Sequence, residues 1–163
     1  MKSRWMAAAL TASLIANAAL AVLAWRGSLV GAARADVTPA GEELAPYMAT
    51  QQHYAHKLGL AIQSKNKPLA QFYLEELEEG FEMIEKKFST YDNLPIASLV
   101  KSVIDPAKPA LVKTLAASDW PAASVAYSNL VNACNTCHAA AKHEFVKIAV
   151  PANNPFNQSF SPK

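Results

Sequence analysis

Arginine is confined to the first 35 residues: Arg4, Arg26 and Arg34 are the only three in the chain. Together with Lys2 they are four of the fifteen basic residues, whereas none of the thirteen acidic residues lies before Asp36, so removing that stretch turns a formal charge of +2 into −2. The pI near 8.5 of the whole sequence therefore describes the leader and not the domain behind it. A mildly acidic domain with no basic patch interleaved with aromatics has no footprint for nucleic acid, and no nucleic-acid partner is expected. Other absences narrow the field further. The sequence shows no Ser/His/Asp constellation, no Gly-rich phosphate loop and no second cluster of metal-ligating residues, so it is not expected to be an enzyme. It also has no internal repeat and no alternating pattern that would read as a strand.

Cysteine is as scarce as arginine. The only two, Cys134 and Cys137, stand in Ala133-Cys134-Asn135-Thr136-Cys137-His138, a Cys-x-x-Cys-His sequence that reads as a covalent attachment site for one haem c. Two thiols one helical turn apart can form thioethers with the two vinyl groups of one haem, which leaves the adjacent His138 as the proximal iron ligand. Three other chemistries use similar spacings. A dithiol redox pair wants the start of a helix in a βαβ setting that this chain lacks. A structural zinc site needs two further ligands, and only His143 is near. A disulfide is poorly served by two cysteines three apart inside a helix.

Haem c is attached after export, and the N-terminus fits that route. Lys2 and Arg4 precede an apolar run from Trp5 to Trp25, and Ala33-Arg34-Ala35 offers an Ala-x-Ala cleavage site before Asp36. Residues 1–35 read as a signal peptide, or as an uncleaved anchor in which residues 5–25 span the inner membrane with Trp5 and Trp25 at its two interfaces. The cleavage site favours the first. In both cases the domain is expected in the periplasm.

The rest of the chain reads as four helices. The first runs from Glu42 to Lys65, with Leu44, Met48, Gln51, Ala55, Leu58 and Ile62 recurring at threes and fours. The second, from Pro68 to Phe88, sets Leu69, Phe72, Tyr73, Leu77, Phe81, Ile84 and Phe88 against an acidic face of Glu75, Glu76, Glu78, Glu79, Glu82 and Glu85. That face reads as solvated; as a docking surface it would suit a basic partner. The third comes in two pieces, 96–104 and 106–117, with Asp105-Pro106 supplying a cap and a break. The fourth, 120–148, begins with Asp119 as cap and Pro121 in its first turn, and presents Tyr127, Leu130, Val131, Cys134, Cys137, His138, Ala141, Phe145 and Ile148 inward. Four amphipathic segments on short connections predict an all-α, up-down-up-down four-helix bundle over residues 36–150, with haem c on its C-terminal helix. The tail, 151–163, is too rich in Pro and Asn for a helix; it reads equally as a frayed end or, from Phe156 and Phe160, as a segment that packs back over a haem edge.

With its motif in the last of four helices, the chain resembles the class II cytochromes c: cytochrome c prime and its methionine-ligated low-spin relatives. The likeness covers residues 40–148 as a layout, and Cys134, Cys137 and His138 as a defined motif. The motif with His143-Glu144-Phe145 and the Pro-Phe tail is also similar to exported single-haem proteins. In the family the face of the haem opposite the histidine is covered by the first part of helix one. A methionine there gives a six-coordinate electron carrier serving a redox partner protein; an apolar residue leaves a vacant position that binds or senses small gases. The resemblance makes Met48 the expected sixth ligand and His56, two turns on and about 80 degrees off the stripe at 100 degrees per residue, its competitor. Met48 is otherwise core filling. His53 and His143 read as surface residues, and Gln52 as a neighbour of Met48 in an open pocket. Members of the family often pair through their first helices, so a homodimer is a further expectation of the likeness.

Overall fold

The computed structural model describes residues 41–162. The leader expected over residues 1–35, with its anchoring stretch 5–25, lies outside the described residues, as does most of the lead-in before Gly41. From residue 41 onward the chain belongs to one compact unit, tail included. It is all-helical; among the described residues there is no strand, only an isolated bridge between Tyr91 and Leu94. No helix of the described residues is long and apolar enough to cross a membrane.

Helix α1 spans Leu44–Gln63 and α2 spans Lys67–Lys87. Asn66 starts α2 by accepting from the amide of Leu69 at 3.3 Å, and Pro68 sits in the first turn, where a missing N–H is tolerated. The third helical region never breaks. Helix α3 (Ile96–Leu99) passes into a π-helical turn over Val100–Ile104, then a 3-10 turn over Asp105–Ala107, then α4 (Lys108–Ala116). The Asp105-Pro106 step thus changes the pitch of the winding without interrupting it. Asp105 caps nothing and instead pairs with Lys108 at 2.7 Å. Helix α5 covers Trp120–Ala140 and opens as expected, with the Asp119 carboxylate accepting from the amide of Ala122.

The end of α5 departs from the expected Ile148. Ala141 closes the helix, Lys142 takes a left-handed conformation with φ 60°, and the amide of His143 bonds to the carbonyl of His138 at 2.7 Å while that of Lys142 bonds to Ala139. This Schellman turn satisfies the last carbonyls and sends the chain back along the helix. Helices α1 and α4 stop in the same way, at Lys65 and Ser118, both with φ 56°. None of the three stops uses glycine.

Helix α1 packs along α2, and α5 packs on α4, on the π-helical turn and on α1. Their common core includes Leu58, Ile84, Phe88, Val100 and Leu111, all with no exposed surface, each stabilising the fold by roughly 1.5–3 kcal/mol through burial. Two expected core residues face solvent. Phe72 is 48% exposed because its neighbour Tyr73 takes the inward direction, and Phe145 is 76% exposed because it lies beyond the end of α5. The tail does pack back, with Phe160 buried among the core residues. Asn66 donates to the carbonyls of Phe160 and Ser161, Gln63 to that of Pro151, and Tyr73 to the side chain of Gln158.

Candidate functional site

The last two turns of α5 carry the Cys-x-x-Cys-His motif to the wall of a small open cleft. Cys134, Cys137 and His138 contribute to it from α5. Met48, Gln51, Gln52 and Ala55 contribute from α1, and Leu77 and Phe81 of α2, Val100 and Ile104 of the π-helical turn, Leu130 and Ile148 complete it. The lining is predominantly apolar with a few polar groups, the usual make-up of a cofactor site. The π-helical turn contributes both its buried residues, Val100 and Ile104, to the wall, which fits the tendency of such turns to lie at functional sites.

Both cysteines are free and half-buried. Burial pushes the Cys134 thiol up to about 11, with Cys137 adding to the rise, and burial also raises Cys137. Reactive dithiols depend on a lowered thiol pKa, and burial here acts in the opposite direction. Among the described residues no group of three or more His, Cys, Asp and Glu is placed to hold a metal ion, and His143 turns back to bond the carbonyl of Ala141.

His138 is held from outside the helix. Its Nδ1 stands 2.8 Å from the carbonyl oxygen of Val146. A carbonyl only accepts, so Nδ1 carries a proton, and in the neutral imidazole the lone pair lies on Nε2. The returning segment that supplies this carbonyl is fastened by Asn135. Its amide nitrogen donates to the Ile148 carbonyl at 2.9 Å, and its amide oxygen accepts from the Ile148 N–H at 2.8 Å.

Met48 lines the same cleft as the motif, half-buried one turn into α1. His56 is not among the lining residues. Its ring stands edge-on to Phe156 of the tail with centroids 5.1 Å apart, and His53 meets the same phenylalanine from another side. The tail therefore covers these histidines and not the cleft: nothing beyond Ile148 lines it. Two residues gain a weight that a reading of the sequence does not assign them. Gln51 is only 6% exposed and its amide oxygen has no partner; the signal was there, a glutamine set into an apolar stripe. Asn135 had no local signal, because its partner is thirteen residues away.

No family model, no curated protein and no solved structure matches the chain.

The residues present fit a covalently held, flat apolar cofactor with one imidazole ligand. Two half-buried thiols, an imidazole whose Nδ1 is engaged by the Val146 carbonyl and a methionine line the same cleft. A protein-only zinc site would need donors that the cleft does not bring together.

Proposed function

We propose that the chain is an exported, single-haem c-type cytochrome of the class II kind, an up-down-up-down four-helix bundle that carries electrons in the periplasm between redox partner proteins. The observation that supports it is the cleft, whose largely apolar lining includes Cys134, Cys137, His138 and Met48 together. Cys134 and Cys137 would hold haem c by two thioethers, His138 would bind its iron through Nε2, and Met48 would supply the sixth ligand. Bound there, haem c supplies an iron that exchanges one electron, at a potential tuned by its axial ligands and its burial. The chain's own part is to hold the imidazole in one tautomer, to offer a thioether from α1 and to keep water from most of the site with Leu77, Phe81, Val100 and Ile104.

A second reading, a five-coordinate haem protein that binds or senses small gases, is favoured by one observation. The buried side-chain amide of Gln51 stands one turn from Met48 in the lining of the same cleft, where its NH2 group would donate to a small ligand. Visible spectra of the exported protein, oxidised and reduced, with and without carbon monoxide, separate the two. The carrier gives a low-spin spectrum that ignores the gas; a high-spin ferrous form that takes up carbon monoxide favours the second reading. Exported protein without covalently bound haem sinks both.

A further inference from the structure

The motif's two variable residues, Asn135 and Thr136, are not equivalent. The Thr136 hydroxyl only bonds back to the carbonyl of Asn132 within the helix, at 2.9 Å. The Asn135 side chain leaves the helix and makes a two-way pair with the main chain of Ile148, so donor and acceptor of one amide are both satisfied. Between the helix end and this pair lies a closed path. The Schellman turn at Lys142 reverses the chain, the amide of Val146 bonds the carbonyl of His143 at 2.9 Å, and the carbonyl of Val146 meets His138 Nδ1. The segment between the turn and Ile148 is itself exposed from Lys142 to Lys147, so little packing holds it. Asn135 is its anchor at the far end.

We infer that Asn135 is a positioning residue for His138: by fastening Ile148 it holds the Val146 carbonyl against the imidazole and fixes the Nδ1–H tautomer, which leaves Nε2 as the only nitrogen able to bind metal. The inference rests on the haem reading for its consequence at iron, but not for its geometry. A hydrogen bond from the non-ligating nitrogen makes an imidazole a stronger donor, and a stronger donor favours ferric over ferrous iron. Asn135 thus acts on the potential through main-chain atoms that no substitution at 146 could remove.

The test uses two readouts and a matched control. In the full chain carrying Cys134→Ala and Cys137→Ala, ring nitrogen-15 spectra of His138 under mildly alkaline conditions report the tautomer. The expected spectrum has a protonated Nδ1 and an unprotonated Nε2. Asn135→Ala returns the ring to the mixture of a free histidine, Asn135→Asp keeps part of the bias because it still accepts from the Ile148 N–H, and Thr136→Ala changes nothing. In the haem-loaded protein Asn135→Ala raises the reduction potential above that of the parent and of Thr136→Ala, with covalent haem content unchanged. An Asn135→Ala chain that retains the Nδ1–H tautomer overturns the inference, as does an unchanged potential if the haem-free variants do not fold. A parent without covalent haem refutes the proposed function instead, and the nitrogen spectra still decide the role of Asn135.

Discussion

Gly59 and Tyr127 meet so closely that a Cβ on the glycine would lie 2.6 Å from the phenolic oxygen and 2.7 Å from both the ring carbon bearing it and Cγ of Pro151. The Tyr127 hydroxyl donates to the carbonyl of Ala55 at 2.9 Å in the buried interface of α1 with α5, so the ring has nowhere to go. Gly59→Ala is expected to destabilise the protein by about 2 kcal/mol, overpacking outweighing the gain in helix propensity. Gly80→Ala is the contrasting case. Its Cβ would stand 1.8 Å from the amide nitrogen of Gln51, the far end of a flexible side chain that can swing aside. Denaturant melts should place it within about 1 kcal/mol of the parent, because alanine's helix propensity offsets the displacement. Equal losses at the two glycines would refute the distinction.

Met48 lines the cleft and His56 does not. Met48→Ala is expected to convert a low-spin haem spectrum to a high-spin, carbon monoxide-binding one, while His56→Ala leaves the spectrum as it is. Absorption spectra of the two oxidised and reduced variants suffice. A spectral change confined to His56→Ala would move the sixth ligand and with it the packing of Phe156.

Phe160 is a core residue contributed by the tail. Truncating it to alanine is expected to lower stability by about 3 kcal/mol, the ordinary loss for a buried phenylalanine. Because nothing beyond Ile148 lines the cleft, the same variant should keep the parent's haem spectrum at temperatures where it is folded. Altered ligation in a folded Phe160→Ala protein would show that the tail reaches the site after all.

Burial holds the Cys134 thiol neutral up to about pH 11, against 9.0 for a free thiol. The unfolded chain therefore loses its proton first. Stability from this group is intact below pH 9 and drains away as the pH climbs through 11, by about 3 kcal/mol for a shift of about two units. Burial raises Cys137 and Tyr127 as well, and both act in the same direction. Urea melts of the haem-free chain should thus weaken through this window, and Cys134→Ala should weaken less. Identical profiles for the two would show that the thiol is solvated.

Helix starts were legible, and so, within two residues, were the stops of all but α5. Asp119 with Pro121 predicts the beginning of α5 from local chemistry alone, and the stripe Leu44, Met48, Gln51, Ala55, Leu58, Ile62 predicts the buried face of α1, apart from Met48, which is half-buried. The ends at Lys65, Ser118 and Lys142 use a left-handed backbone without glycine, which costs each residue roughly 1–2 kcal/mol and leaves no mark in composition. Ala139-Ala140-Ala141 has the best helix propensity of all, yet α5 closes at Ala141. The winning contribution is tertiary, the Asn135 pair with Ile148 and the bond from His138 to Val146. For the same reason Ile148 lines the cleft from a returning segment and not from a helix, and Phe145, placed inward by a helical count, points to solvent. The motif residues and Met48 can be singled out in the sequence because they carry chemistry in their own identity, and the structure lines one cleft with them; Gln51 and Asn135 acquire their weight only from what they face.

Asn66 reaches carbonyls 94 and 95 positions away, at Phe160 and Ser161. Bringing such distant points together carries a loop-closure entropy of about 4 kcal/mol on a logarithmic scale, which local helix formation does nothing to offset. The surface that receives the tail is supplied by the end of α1 and the start of α2, through Gln63, Asn66 and Tyr73. A growing chain has no complete core until residue 160 has been made, by which time the two thiols and the histidine have long been in place on α5. Completing the core and shaping the cleft are thus separate tasks, since nothing beyond Ile148 lines the cleft.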